Sequence, residues 1–125
     1  MSTRCSVNFY DINNGTYESI YGHHDGYLNH TGFVLLTSYD TVEKVKELIS
    51  MGDFSVLHHS LEDSVFYCRD RDEDFYLTRA ASYRSLSDIP LQNYNYVFNG
   101  ASWFYFQEGK VSLKPLTMEA IRGSR

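Results

Sequence analysis

Cysteine is nearly absent from this chain, and so are long apolar runs, an excess of cations and the signatures of nucleophilic catalysis. Two thiols, Cys5 and Cys68, are too few for a disulfide framework, and neither lies in a Cys-x-x-Cys pair, so both are expected to be buried and free. No stretch approaches the length that spans a bilayer, and Met1-Ser2-Thr3-Arg4 leads into an alternating pattern rather than an apolar leader. A cytoplasmic protein is expected, in which Asn14-Gly15-Thr16 and Asn29-His30-Thr31 carry no meaning as glycosylation sites. With 11 Lys and Arg against 16 Asp and Glu, a net charge of −5 and a pI near 5.4, the chain lacks the clustered cations that replace counterions on DNA or RNA. Direct nucleic-acid binding is disfavoured, whereas a local arginine site for a small phosphate-bearing ligand is not. There is no Gly-x-Ser-x-Gly, no His-Glu-x-x-His and no poised cysteine motif, which points away from an enzyme.

Aromatics are in surplus: 11 Tyr, 8 Phe and one Trp in 125 residues. Tyr joins an apolar ring to a polar tip, so the same residue type serves a core margin, an interface or a ligand pocket. The length suits one domain, taken as residues 1–122 with 123–125 as a frayed tail. Cys5, Val7 and Phe9 alternate with Arg4, Ser6 and Asn8, the period of a strand with one buried face. Asn14-Gly15 suits a two-residue hairpin turn, with 16–21 as the return strand. Thr31 is placed to cap a short helix through Phe33, Leu35 and Leu36. Asp40, three residues before Glu43, opens a helix with Val42, Val45, Leu48 and Ile49 on one face and Gly52 as its stop.

Beyond that helix, residues 53–61 read as a short turn or helix, 64–68 as a strand, 69–74 as a loop or sheet rim, and 80–93 as a long connection. Residues 94–98, 101–106 and 110–113, joined at Asn99-Gly100 and Glu108-Gly109, predict a three-strand meander at the centre of the sheet. A helical turn over 116–121 follows. The fold class is therefore α+β: an antiparallel sheet with an N-terminal hairpin and a C-terminal meander, packed by two or three helices.

Three groups of residues carry candidate chemistry. The loop Gly22-His23-His24-Asp25-Gly26-Tyr27 combines imidazoles, a carboxylate and a glycine at a strand-to-helix junction, where exposed backbone N–H groups often meet ligands. It reads equally as an Asx-type turn in which Asp25 caps local N–H groups and Tyr27 packs inward. His23, His24, Asp25, His30, His58 and His59 match no zinc spacing, and adjacent histidines in a strand face opposite ways, so neither metal nor cofactor is expected. Arg69 and Arg71 share a face if strand geometry continues through them, as a clamp for pyrophosphate or carboxylate, unless Asp72, Glu73 and Asp74 pair with them. Trp103 and Tyr105 share one face of their strand and Phe104 and Phe106 the other. One face covers the core, and the other lines a pocket or forms an interface between copies.

Together these segments resemble a family of small phage and prophage proteins whose hallmark is a His-Trp-Asp-Gly-Tyr-Pro segment after a first hairpin. Here it stands as His23-His24-Asp25-Gly26-Tyr27-Leu28. The likeness continues through Gly32, Leu48-Ile49-Ser50-Met51-Gly52-Asp53, Cys68-Arg69-Asp70-Arg71-Asp72-Glu73-Asp74, and Tyr94-Asn95-Tyr96-Val97-Phe98-Asn99-Gly100 with Trp103. His24 replaces the family's Trp, Leu28 its Pro, and Asp72 stands where the family tends to have Gly. The resemblance implies a phage accessory protein that acts against bacterial defences in the host cell, with no established enzymatic activity.

From this follows an expected function: binding and sequestering a nucleotide-derived immune signal without cleaving it. Arg69 and Arg71 would hold phosphates, Tyr27 and Trp103 would stack on a base, and His23 and Asp25 would orient ribose hydroxyls, with His24, Gly26 and Tyr105 also counted among the ligand-binding residues. One alternative is a protein-binding inhibitor of a host defence complex, of the anti-CRISPR type, that uses the acidic rim Asp70, Asp72, Glu73 and Asp74. Another is a phosphodiesterase-like enzyme built on a His–Asp pair.

Overall fold

A computed structural model of the chain describes residues 2–109 and 112–124. Its spine is β1 (Cys5–Asp11), which pairs antiparallel with β2 (Thr16–Gly22) on one side and parallel with β6 (Tyr94–Phe98) on the other. Val7 lies opposite both Ile20 and Tyr96, so the alternation read from the sequence sets the buried face across three strands. Beyond β2 come β3 (Phe54–Val56) and β4 (Val65–Phe66); beyond β6 come β7 (Trp103–Gln107) and β8 (Lys114–Pro115). A further strand, β5 (Ala81–Tyr83), pairs with the first half of β2. The architecture is α+β and the sheet mostly antiparallel, with the β1–β6 and β2–β3 pairings parallel.

Helices α1 (Phe33–Ser38), α2 (Val42–Ser50) and α5 (Met118–Gly123) supply Val34, Leu35, Val45, Leu48 and Ile121 to one core with Val7, Ile20, Tyr96, Phe98 and Trp103. The opposite sheet face is more polar. Ser6 Oγ donates to Asn95 Oδ1 (2.8 Å), and Asn8 Nδ2 donates to Ser6 Oγ (3.0 Å) and to the Tyr96 carbonyl (2.9 Å). The connection before β6 is tied to this face: Gln92 N–H donates to Asn95 Oδ1 (3.1 Å) and Asn95 Nδ2 to the Gln92 carbonyl (3.0 Å), while Ile89 is buried. These bonds hold β1 central although only one of its faces is apolar, and Asn8 Oδ1 is the atom of the network left buried without a partner among the described residues.

Several local expectations are corrected. The hairpin loop spans four residues, 12–15, because the Asp11 carboxylate accepts from the N–H groups of Asn13 and Asn14 and Gly15 N–H returns to the Asp11 carbonyl. α2 is capped by Thr41, whose hydroxyl accepts from Lys44 N–H, whereas Asp40 pairs with the Lys44 ammonium at 3.4 Å. Thr31 caps no helix; it lies in a π-helical turn (Leu28–Gly32) and its hydroxyl donates to the Asp25 carbonyl at 2.7 Å. Residues 53–61 contain β3, which the sequence did not announce, before the turn that Ser64 N–H closes on the Ser60 carbonyl.

The strand expected over 64–68 stops at Phe66, because Asp70 reaches back to accept Phe66 N–H (2.8 Å) and starts α3 (Tyr67–Arg71). Residues 69–74 are thus helix and then loop, followed by α4 (Phe75–Thr78). The 80–93 connection carries β5 and a 3₁₀ turn (Leu86–Asp88). In the meander the third strand is Lys114–Pro115; of the expected 110–113, Lys110 and Val111 lie outside the described residues, and Ser112 and Leu113 are not strand. The sheet's centre is β1 rather than the meander. Gly123 belongs to α5, Ser124 Oγ donates to the Ile121 carbonyl, and Arg125 lies outside the described residues.

Candidate functional site

Backbone bonds tie the 22–27 loop to its neighbours in the fold, while the side chains of His24 and Tyr27 stay exposed. His23 and His24 extend the β2–β3 edge, their N–H groups donating to the carbonyls of Phe54 (3.1 Å) and Ser55 (2.8 Å). His23 Nδ1 lies 2.7 Å from the Tyr21 hydroxyl and His24 Nδ1 2.7 Å from Ser2 Oγ. The strand ends at Gly22, so the two imidazoles do not face opposite ways; their centroids are 4.5 Å apart, edge to face. Partial burial first, then His24 and Arg4, hold His23 below the ordinary imidazole value.

Asp25 takes φ +57, and its carbonyl accepts from Thr31 N–H (3.2 Å) and Thr31 Oγ1. The imidazole Nδ1 atoms of His23 and His24 bond to Tyr21 and Ser2 rather than to its carboxylate. Gly26 donates to the Thr3 carbonyl (2.8 Å), and its own carbonyl accepts the buried Tyr96 hydroxyl at 2.6 Å. A Cβ on Gly26 would stand 2.7 Å from Cys5 Cβ and 2.9 Å from the Thr3 oxygen, so glycine is required for close approach. Tyr27 does not pack inward; it is 39% exposed. Among the described residues no three His, Cys, Asp or Glu side chains converge as a metal group would need.

The other expected walls lie elsewhere. Trp103 is 3% exposed and its indole N–H donates to the Tyr39 carbonyl (2.8 Å) inside the core; Tyr105 is buried beside it. Both face the helices because Phe98 pairs with Trp103 and Tyr96 with Tyr105. Neither is open to a base. Arg69 and Arg71 sit two residues apart on a helix, which turns their side chains about 200° from one another. Arg69 makes a bidentate pair with Asp70 (both contacts 2.9 Å) and donates to the Ser64 carbonyl, while Arg71 lies over the Tyr67 ring. Arg69 in turn holds the Asp70 carboxyl below the usual carboxylate range. The shared-face clamp is therefore not formed, and the loop, the arginines and the aromatic strand do not enclose one cavity.

No family model matches the chain, and no curated protein or solved structure matches it either.

Two other places stand out. Phe75, Tyr76 and Leu77 on α4 are 48%, 76% and 81% exposed, directly after the exposed run Asp70–Asp74 taken as residues 70–74. This four-residue helix is opened by Asp74, whose carboxylate accepts Tyr76 N–H, and Thr78 anchors it: Asp53 N–H donates to the Thr78 carbonyl (2.7 Å). On one side of the segment lies a cleft of about 450 Å³ walled by Phe9, Ile49, Lys46, Glu18 and Phe75. On the other lies a cavity of about 200 Å³ lined by Ser19, Tyr21, Asp53, Arg79, Tyr83 and Gln92, among others.

Asp53 is unusual there. One carboxylate oxygen accepts Tyr21 N–H (2.8 Å), and no cation pairs with it among the described residues. Burial, mainly, with Glu73 adding to it against the opposing Tyr21 bond, pushes the carboxyl up to about 6. Of these residues the sequence singles out only the acidic rim Asp70, Asp72, Glu73 and Asp74, as a protein-binding alternative, and not Phe75, Tyr76, Leu77, Asp53 or Arg79. The run of three large apolar residues after an acidic tract was the available signal for α4; for Asp53 and Arg79 there was none, because β3 and β5 are only three residues each and carry no readable period.

Proposed function

We propose that this protein works by binding another protein through the acidic and aromatic projection of residues 70–77, as a binding protein rather than an enzyme. The observation that carries the reading is the exposure of Phe75, Tyr76 and Leu77, three consecutive large apolar side chains with no internal packing task at that level. Tyr and Phe at the middle of a patch with charge at its edge is the composition of an interface core and rim. Exposed Asp72, Glu73 and Asp74 directly precede it in the chain, while Asp70 engages Arg69, and Arg71 and Arg79 lie over Tyr67 and Tyr76. The partner that complements this surface has an apolar socket with a basic margin. The resemblance to phage accessory proteins makes a bacterial defence protein the natural candidate.

Sequestration of a nucleotide-derived signal by His23, Asp25, Arg69, Arg71 and Trp103 has less support, since those residues are held apart and mostly engaged. No described helix is long and apolar enough to cross a membrane.

A photo-crosslinking residue placed at Tyr76, used in bacterial lysate, tests the interface. Support is one basic protein captured by the wild-type surface, displaced by unlabelled protein, weakened by salt and lost in Leu77→Asp. Capture that is indifferent to Leu77→Asp and to salt, or capture of a second copy of this chain alone, overturns it.

A further inference from the structure

We propose that the cavity between β2, β5 and the 84–93 connection is a binding site for a small zwitterion of amino-acid size, its ammonium held by Asp53 and its carboxylate by Arg79. The inference does not rest on the protein-binding reading, although the cavity shares Leu77 and Arg79 with that surface. Asp53 and Arg79 line one cavity without touching: no hydrogen bond or ion pair joins them among the described residues. A half-buried carboxylate with one oxygen bonded and no cation leaves an acceptor whose natural complement is an N–H donor from a ligand. Arg79, whose guanidinium lies over the Tyr76 ring, also borders the cavity; it is a donor fork suited to a carboxylate and has no acidic partner among the described residues.

The rest of the lining fits a small polar molecule. Tyr83 and Ser19 bring hydroxyls for which the described residues hold no hydrogen-bond partner, and Leu77 and Pro90 bring apolar surface. At about 200 Å³ the space lies below the roughly 300–1,000 Å³ of pockets that enclose drug-sized ligands, which rules out a dinucleotide and suits a free amino acid. Polar groups of opposite sign on one lining select a dipole over either charge alone.

The test is an amide NMR titration of the full chain with each of the twenty common amino acids, taken to about 10 mM, roughly tenfold above a millimolar dissociation constant. Ethanolamine and acetate serve as half-ligand controls that carry only one of the two charges. The expected result is saturable shifts for at least one amino acid, centred on Ser19, Tyr21, Asp53, Arg79 and Tyr83. Both half-ligands, and both Asp53→Asn and Arg79→Gln, should weaken binding at least about tenfold, as loss of a charge-assisted bond does, while Asp63→Asn leaves it unchanged. Asp53→Asn keeps an acceptor for Tyr21 N–H, so its fold is checked by an unchanged spectrum outside the cavity. No saturable shift across the whole panel, shifts centred elsewhere, or equal binding by the half-ligands or by Asp53→Asn overturns the proposal.

Discussion

The 22–27 loop and the 70–79 segment are both short, polar and irregular, yet they use their residues in opposite ways. In the loop, the Gly26 N–H and carbonyl, the Asp25 carbonyl and both histidine N–H groups are spent on Thr3, Tyr96, Thr31 and β3. In the segment, Thr78 alone is buried, and the larger side chains before it face outward. A cluster of chemically versatile residues can thus be a structural joint, while a plain run of Phe, Tyr and Leu can be the part that has no internal reason to exist. Exposure of apolar surface is the stronger pointer to function because it costs free energy unless something covers it.

The sharpest way to break that contrast is Gly26→Ala. The new methyl group meets Cys5 Cβ and backbone of residues 3 and 4, none of which can move without shifting β1, so a loss of about 3 kcal/mol is expected in urea unfolding. Mild behaviour would mean that the loop is not a joint. Next comes Tyr76→Ala, expected to weaken partner binding by about 2 kcal/mol while changing stability by no more than about 0.5 kcal/mol. A large drop in melting temperature would instead assign Tyr76 a packing role.

Tyr96→Phe isolates one joint within the loop. It removes a buried hydroxyl and leaves the Gly26 carbonyl unpaired, which should cost about 1–2 kcal/mol by chemical denaturation. The smallest effect is a gain. Asp53 is protonated more readily in the folded chain, at about 6, than at its ordinary 3.8, so the folded state binds more protons between those values. Its contribution is fully present below about pH 4 and is lost as pH rises through 6. The groups around it are Tyr21, Glu73, Arg79 and Tyr83, and Glu73 adds to the same trend. Asp53→Asn should therefore stabilise the protein at pH 7 by about 1 kcal/mol after solvent screening, and flatten the melting temperature between pH 4 and 6. An unchanged pH profile would show that Asp53 is not strained. A residue that lowers stability at neutral pH is the kind retained for binding.

Legibility followed period. Cys5, Val7 and Phe9 announced β1, and Val45, Leu48 and Ile49 announced α2, because burial on one face repeats at two or nearly four residues. What stayed hidden depends on single tertiary bonds. Asp70 turning back to Phe66 N–H makes α3, and Thr41 takes the cap from Asp40 by geometry that composition does not reveal. Trp103 was visible as an aromatic on an alternating strand, but which face met the helices was decided by pairing with Phe98. Asp72 was read within a charged rim; its φ of +56 places it in the region that favours glycine.

The position of β1 has a consequence for synthesis. Its second neighbour, β6, enters the chain late: Ser6 bonds to Asn95, a separation of 89 residues. At about 5–20 residues per second a ribosome needs roughly 4 to 18 seconds to deliver that strand after β1 has emerged. Throughout that interval the nascent hairpin shows an unpaired edge, the situation in which strands recruit one another between chains. Ser6 and Asn8, which later join the buried network beneath Asn95, make the first half of one face of the waiting strand polar, and so the residues that complete the core last also keep its first piece apart from its neighbours until then.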